Sequence, residues 1–205
     1  PWGADSWGHL YKAEMLYEQI QQGNYYPQFT EYWYNGVQPF RYWAPLPYYA
    51  LALLRGISGD IFTAGNLYIY LCALLGALFW LLLSRRMGLW PAVMAAVVWL
   101  LWQDHVRVAF SEGNLPRALA TALLPLLFAL FLHIITQQKS NRAIIVLIVS
   151  VQLALLCHAM MAAVYCLSLA LFAFFLWVFQ GCSIKDLARG ILVLVAGILS
   201  SSWWL

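Results

Sequence analysis

Between residues 143 and 179 the chain runs 37 positions with one histidine, His158, and no acid, lysine or arginine. As a single helix this run would be about 55 Å long, nearly twice the ~30 Å hydrocarbon core of a bilayer. It must therefore fold back on itself, and the expected break is Cys157-His158-Ala159, near its midpoint. The rest of the chain has the same character: 64% of its 205 residues are hydrophobic and 9% charged, against about 25% charged in a soluble domain. With 11 basic and 8 acidic residues the surface of a soluble globule cannot be solvated. A cytosolic enzyme, a disordered tail and a nucleic-acid-binding module are excluded. The class is an all-α integral membrane protein, because its apolar runs have helical rather than barrel-strand length.

Six spans are expected, at 66–84, 89–110, 117–137, 143–157, 159–179 and 189–205, forming a polytopic helical bundle after a polar-aromatic segment, 1–65. The second span is apolar as far as Trp102 and then turns polar. Arg85, Arg86, Lys139, Arg142, Lys185 and Arg189 fall in three short loops on one side. By the positive-inside rule that side is expected to be cytoplasmic. Seven of the eight acids, all but Asp186, then fall on the opposite side with residues 1–65. Neither end reads as a natural terminus, so the chain is expected to be a piece of a longer one. One further transmembrane helix is expected to end just before Pro1, holding residues 1–65 outside. The four cysteines show no CxxC or CxxH spacing and read as apolar packing.

Residues 9–22 read as an amphipathic helix lying along the membrane interface, with Leu10, Ala13, Leu16, Tyr17 and Ile20 on its apolar stripe. Lys12, Glu14, Glu18 and Gln19 are placed off that stripe. Residues 1–50 hold 15 of the chain's 34 aromatics, dense enough for either an interfacial belt or a stacking platform for sugar rings or a lipid headgroup. Residues 44–54, with Pro45 and Pro47, are too short to span and are expected to be interfacial or re-entrant.

Few residues in such a chain can carry chemistry. Asp5 and His9, four apart, share a helix face; Asp5 either caps that helix or faces outward as a base. Asp104-His105 interrupts the second span, and Asp104 either pairs with Arg107 or Arg117 or serves as a metal or acceptor-binding carboxylate. Glu112-Gly113-Asn114-Leu115-Pro116-Arg117 starts the third span; Arg117 there needs an anionic partner, Glu112 or a phosphate, because the helix dipole disfavours a cation in the first turn. His158 either makes a structural hydrogen bond or takes part in catalysis. His133 and Gln152 read as interhelical hydrogen bonds. Asp5, His9, Asp104, His105, Glu112, Arg117 and His158 are all expected to reach one outer face. Such a site suits a divalent cation, Mg or Mn, held by Asp5, Asp104 and Glu112, and an anionic, sugar-bearing lipid.

The segments Asp5-Ser6-Trp7-Gly8-His9-Leu10-Tyr11, Tyr42-Trp43-Ala44-Pro45-Leu46-Pro47-Tyr48-Tyr49, Gly113-Asn114-Leu115-Pro116-Arg117 with Pro125, the His158 turn and residues 199–204 resemble the bacterial and archaeal membrane proteins called 6-pyruvoyl-tetrahydropterin synthase-related. The zinc-ligand pattern of a soluble pterin synthase is not present. The architecture is in turn similar to the GT-C glycosyltransferases. That resemblance implies a cytoplasmic (inner) membrane protein whose active face is non-cytoplasmic. It implies a polyprenyl-phosphate-linked sugar as donor and an envelope glycan, lipid or protein as acceptor. It also implies Asp5 as catalytic base with His9 beside it, and Asp104 at the place of a second acidic motif. His105, Arg117, His158 and Tyr48 are the expected substrate contacts, with Arg117 and either His9 or His158 neutralising the leaving phosphate. Asp104-His105 departs from the Asp-x-Asp pair of many such enzymes. Two other classes are open: a membrane protein that scaffolds, binds or flips lipid-linked sugars without reacting them, and an ion-coupled transporter.

Overall fold

The computed structural model describes residues 3–33, 35–136 and 140–204. Lys139 of the basic loops, Gln137 at the expected end of the third span, Tyr34 of the aromatic platform and Leu205 lie outside the described residues. The helices are α1 (Ser6–Gln21), α2 (Pro39–Tyr42), α3 (Leu46–Ser58), α4 (Ile61–Trp80), α5 (Ser84–Met87), α6 (Leu89–Leu101), α7 (Gln103–Val106), α8 (Leu115–Thr136), α9 (Asn141–Cys157), α10 (Ala159–Gln180) and α11 (Ile184–Leu199). Among the described residues the one extended pairing is an antiparallel bridge between Thr30 and Val37.

Four segments are long and apolar enough to cross a membrane: Ile61–Met87, Leu89–Glu112, Leu115–Thr136 and Ala159–Gln180. Two more of the six expected spans, α9 and α11, have 17 and 16 residues. The first span starts at Ile61 rather than residue 66, because Asp60 caps it by accepting the Thr63 N–H at 2.7 Å. The sixth starts earlier as well, where Ser183 caps α11 by accepting the Lys185 N–H. Both starts are marked by a polar cap, which an apolar run does not reveal.

The long apolar run divides at His158, which ends α9 and begins α10. Its Nδ1 accepts the Met161 N–H at 3.3 Å, satisfying one of the orphan donors of a helix start. The other interruption falls in the second span. At Trp102 the backbone turns extended, α7 adds one turn, and Arg107–Glu112 is wound as a π-type turn. Such wide turns recur where side chains must be re-aimed.

Helix α8 is the keel. On one side it packs with α9, α10 and α11 around Leu127, Phe131, Leu147, Val151 and Ala173. On the other it joins α4, α3 and α1 around Leu16, Phe40, Tyr48, Leu51 and Leu115. Small residues let α11 approach closely: a Cβ at Gly190 would strike Ile135 and Phe131, and one at Gly197 would strike Val151. The outward faces of α4, α6 and α10 keep residues such as Leu74, Leu78, Met94, Leu167 and Phe175 exposed. In water these would be liabilities; against lipid tails they are the expected coat.

The short loops divide the polar residues between the two ends of the bundle. Arg85 and Arg86 lie at one end, where Arg86 donates to Thr136 Oγ1. Arg142, at the start of α9, and Lys185 and Arg189, in the first turns of α11, share that basic end. The other end carries α1–α3, the α7 region and the His158 turn. There Arg55 of α3 pairs with Glu14 of α1 at 2.7 Å, and the Trp204 indole N–H donates to the Phe40 carbonyl at 2.9 Å.

Candidate functional site

The site is built on α1. Its first turn is set by Asp5, whose backbone N–H donates to the Glu112 carbonyl at 2.9 Å, and by Ser6, whose N–H donates to Gly3. Gly113, with φ +75°, lets this junction close; a Cβ there would collide with Ser6 Oγ. Asp5 occupies the cap position, yet its side chain makes no capping hydrogen bond. Among the described residues the Asp5 carboxylate has neither a hydrogen bond nor an ion pair. The exposed carboxylate faces a cavity of about 780 Å³, lined also by His9, Lys12, His158, Trp33 and Trp43.

His9 and Lys12, one turn further on, are both buried. His9 Nδ1 and the Tyr48 hydroxyl lie 2.9 Å apart, with Tyr48 fully buried. Burial, helped by the nearby charge of Lys12, pushes the His9 imidazole down to about 3, so it is neutral at physiological pH. Burial also drives the Tyr48 phenol upward, and it stays protonated. Tyr48, expected to touch substrate, instead stands behind the cavity wall and holds His9.

Lys12 corrects the sequence reading. Expected off the apolar stripe, it is only 4% exposed. Its ammonium lies 4.1 Å from the centre of the Trp43 ring, 4.4 Å from Trp33 and 6.0 Å from Tyr48, and it donates to the Gly8 carbonyl at 3.2 Å. Three rings from the aromatic loop thus replace the water that a solvent-facing lysine would keep. The only sequence signal for this was the density of Trp and Tyr between residues 32 and 49. Burial lowers the Lys12 ammonium to about 8, and the Asp5 carboxylate limits the fall.

The remaining expected site residues belong elsewhere. Asp104, His105 and Arg117 line a second cavity of about 450 Å³, walled by Trp80, Trp99 and Tyr165. Arg117 donates to Asp104 Oδ2 at 3.1 Å and to Glu112 Oε2 at 3.2 Å. Arg107 pairs with the same two carboxylates from the other side. The anionic partner that Arg117 required is therefore carboxylate, twice over. His105 Nδ1 donates to the Trp99 carbonyl at 2.8 Å, so that nitrogen carries the proton.

One outer site was expected; the structure divides its members between two cavities, each lined in part by the 103–117 segment. The proposed cation ligands are divided in the same way. Asp5 lines the first cavity, Asp104 the second, and Glu112 spends its carboxylate on two arginines. Among the described residues no group of three His, Cys, Asp or Glu side chains is placed to hold a metal ion. Asp5, Asp104 and Glu112 do not fit that role together, because two of the three are already neutralised by guanidinium groups. Of the two deep polar residues, Gln152 donates to the Ser200 carbonyl at 3.1 Å, whereas His133 has no hydrogen-bond partner among the described residues.

An all-helical body with an apolar coat, four segments long and apolar enough to span and one polar, aromatic-roofed end defines an integral membrane protein. Its family is shown by sequence: the model of the 6-pyruvoyl-tetrahydropterin synthase related domain, a membrane protein, matches residues 40–205, and the chain belongs to that family. No curated protein and no solved structure matches it.

Proposed function

We propose that the chain is a GT-C-like membrane glycosyltransferase moving a sugar from a polyprenyl-phosphate donor to an envelope acceptor at the non-cytoplasmic face of the inner membrane. One observation carries this reading. An unpaired carboxylate, Asp5, and a neutral histidine, His9, share a large cavity ringed by Trp7, Trp33, Tyr42 and Trp43 at the acid-rich end of the bundle. Flat aromatic faces suit the apolar faces of sugar rings, and a carboxylate free of partners can accept a proton. The basic loops at the opposite end support a cytoplasmic location for that end.

The chemistry is a single displacement. An acceptor hydroxyl attacks the anomeric carbon, the bond from that carbon to the phosphate oxygen breaks, and both electrons leave with the lipid phosphate. Asp5 takes the hydroxyl proton. His158 and Asn114, which also line the cavity, hold sugar or phosphate oxygens.

A second reading, binding or flipping of lipid-linked sugars without transfer, is favoured by a different observation: Asp5 is the sole carboxylate among the residues lining the cavity. Asp5→Asn in the full-length protein separates the two. Loss of transfer by ~100-fold or more at normal expression fits a general base; unchanged transfer removes Asp5 from the chemistry.

A further inference from the structure

We infer that Lys12 is the anchor of an anion site, and that the anion it takes is the phosphate of a lipid. The inference rests on the reading of the 780 Å³ cavity as the substrate site and names the group there that meets negative charge. The sequence had given that role to Arg117, which is committed to Asp104 and Glu112 at the other cavity.

Lys12 is a buried cation with an unusual set of partners. A buried lysine is normally paired with a carboxylate, because removing an ammonium from water is otherwise costly. Among the described residues Lys12 has no ion pair. One of its three N–H donors reaches the Gly8 carbonyl, and its other close neighbours are ring faces. Ring faces attract the charge but accept no conventional hydrogen bond, so two strong donors are left over. The cage is also built to close tolerance: a Cβ at Gly8 would come within 2.9 Å of the Trp33 ring. Lys12 lines the cavity alongside His158, Asn114 and Asp5. An anion there gains two free donors on the Lys12 side and a charge that no carboxylate pairs with directly, Asp5 acting on it only from a distance.

A phosphate ester fits this site. Its unesterified oxygens can serve Lys12 and a second donor at once, while the group attached to it offers hydroxyls to Asp5. The cavity is lined by Trp7, Trp33, Tyr42 and Trp43, the residue types that gather at the headgroup level of a bilayer. Free phosphate has the same oxygens but no chain, and the probes below tell the two apart.

The test uses the full chain purified in lauryldimethylamine oxide, which carries no phosphate, with binding followed by tryptophan fluorescence. The probes are dodecyl phosphate, dodecyl glucoside and inorganic phosphate. Dodecyl phosphate is expected to bind at least about tenfold more tightly than either of the others. Lys12→Met, whose thioether can fill an aromatic cage without charge, is expected to erase that preference, and Lys12→Arg to keep most of it. Should Lys12→Met not fold, the wild-type protein is read instead. Its affinity for dodecyl phosphate should fall by at least about tenfold between pH 7 and pH 10 as the ammonium, lowered to about 8, loses its proton. Inorganic phosphate binding as tightly as dodecyl phosphate would overturn the lipid source. Equal binding of the glucoside, or a preference that survives both Lys12→Met and pH 10, would overturn the anchor. None of these readouts involves transfer, so a failed anchor and a failed transferase are separate results.

Discussion

The backbone N–H of Asp5 is hydrogen-bonded to the carbonyl of Glu112, whose carboxylate is clasped by Arg107 and Arg117. The free carboxylate of one cavity is therefore mounted on the ion-pair network of the other. Removing Arg117 leaves Asp104 and Glu112 sharing one guanidinium in a partly buried setting. Arg117→Gln is expected to lower stability by about 1–3 kcal/mol, read as a lower unfolding midpoint in detergent. Arg117→Lys should recover less than half of this, since a compact ammonium lacks the planar fork whose two terminal nitrogens reach Glu112 and Asp104 separately.

Gly113 and Gly181 make a matched pair. Both have positive φ, +75° and +69°, but a Cβ meets Ser6 at the first and open space at the second. Gly113→Ala combines backbone strain with a collision and is expected to cost about 2–5 kcal/mol. Gly181→Ala carries the strain alone and should cost about 1 kcal/mol. Thermal unfolding of the two variants side by side checks the difference; equal losses would mean that the Gly113 junction is not tightly closed.

Tyr48→Phe removes one hydroxyl and keeps the ring that faces Lys12. The buried His9 nitrogen loses its partner, at an expected cost of about 1–3 kcal/mol. The Lys12 cage should survive, so dodecyl phosphate binding in this variant should stay within about threefold of wild type. A larger loss would show that the hydroxyl, and with it the orientation of His9, matters to the ligand.

His9 also sets a pH dependence. Its ordinary value near 6.5 is lowered to about 3 in the fold, so below pH 6.5 the unfolded chain binds a proton that the folded one refuses. Stability is then fully present above pH 6.5 and declines as pH falls toward 3, by up to ~1.4 kcal/mol per unit. His158, lowered by burial as well, adds in the same sense. Unfolding midpoints at pH 7, 6, 5 and 4 should fall progressively in wild type and more gently in His9→Gln. Parallel curves would contradict a buried neutral His9.

The bundle was legible because a membrane imposes length and apolarity on every span, and because a charged or polar interruption such as His158 or Asp104 stands out against that background. The starts at Asp60 and Ser183 were not, since a cap is one polar residue beside an apolar run. The candidate site was half legible. Asp5 and His9 follow from helical spacing within one segment. That Asp104 and Arg117 face a different cavity depends on the turn after Trp102, and that Lys12 is buried depends on rings more than twenty residues away. Helical periodicity carries no information about a loop that folds over the helix and turns a polar position into an interior one.

The one-residue joint between α9 and α10 fixes more than a change of direction. Because Nδ1 of His158 receives the Met161 N–H, its lone pair is spent, and the neutral ring must carry its hydrogen on Nε2. Toward any molecule in the cavity this histidine can give a hydrogen bond and cannot take one. It is thereby barred from drawing a proton off an incoming hydroxyl, which under the proposed function leaves that task to Asp5, while an acceptor oxygen finds in His158 a fixed donor held at the hinge of two helices.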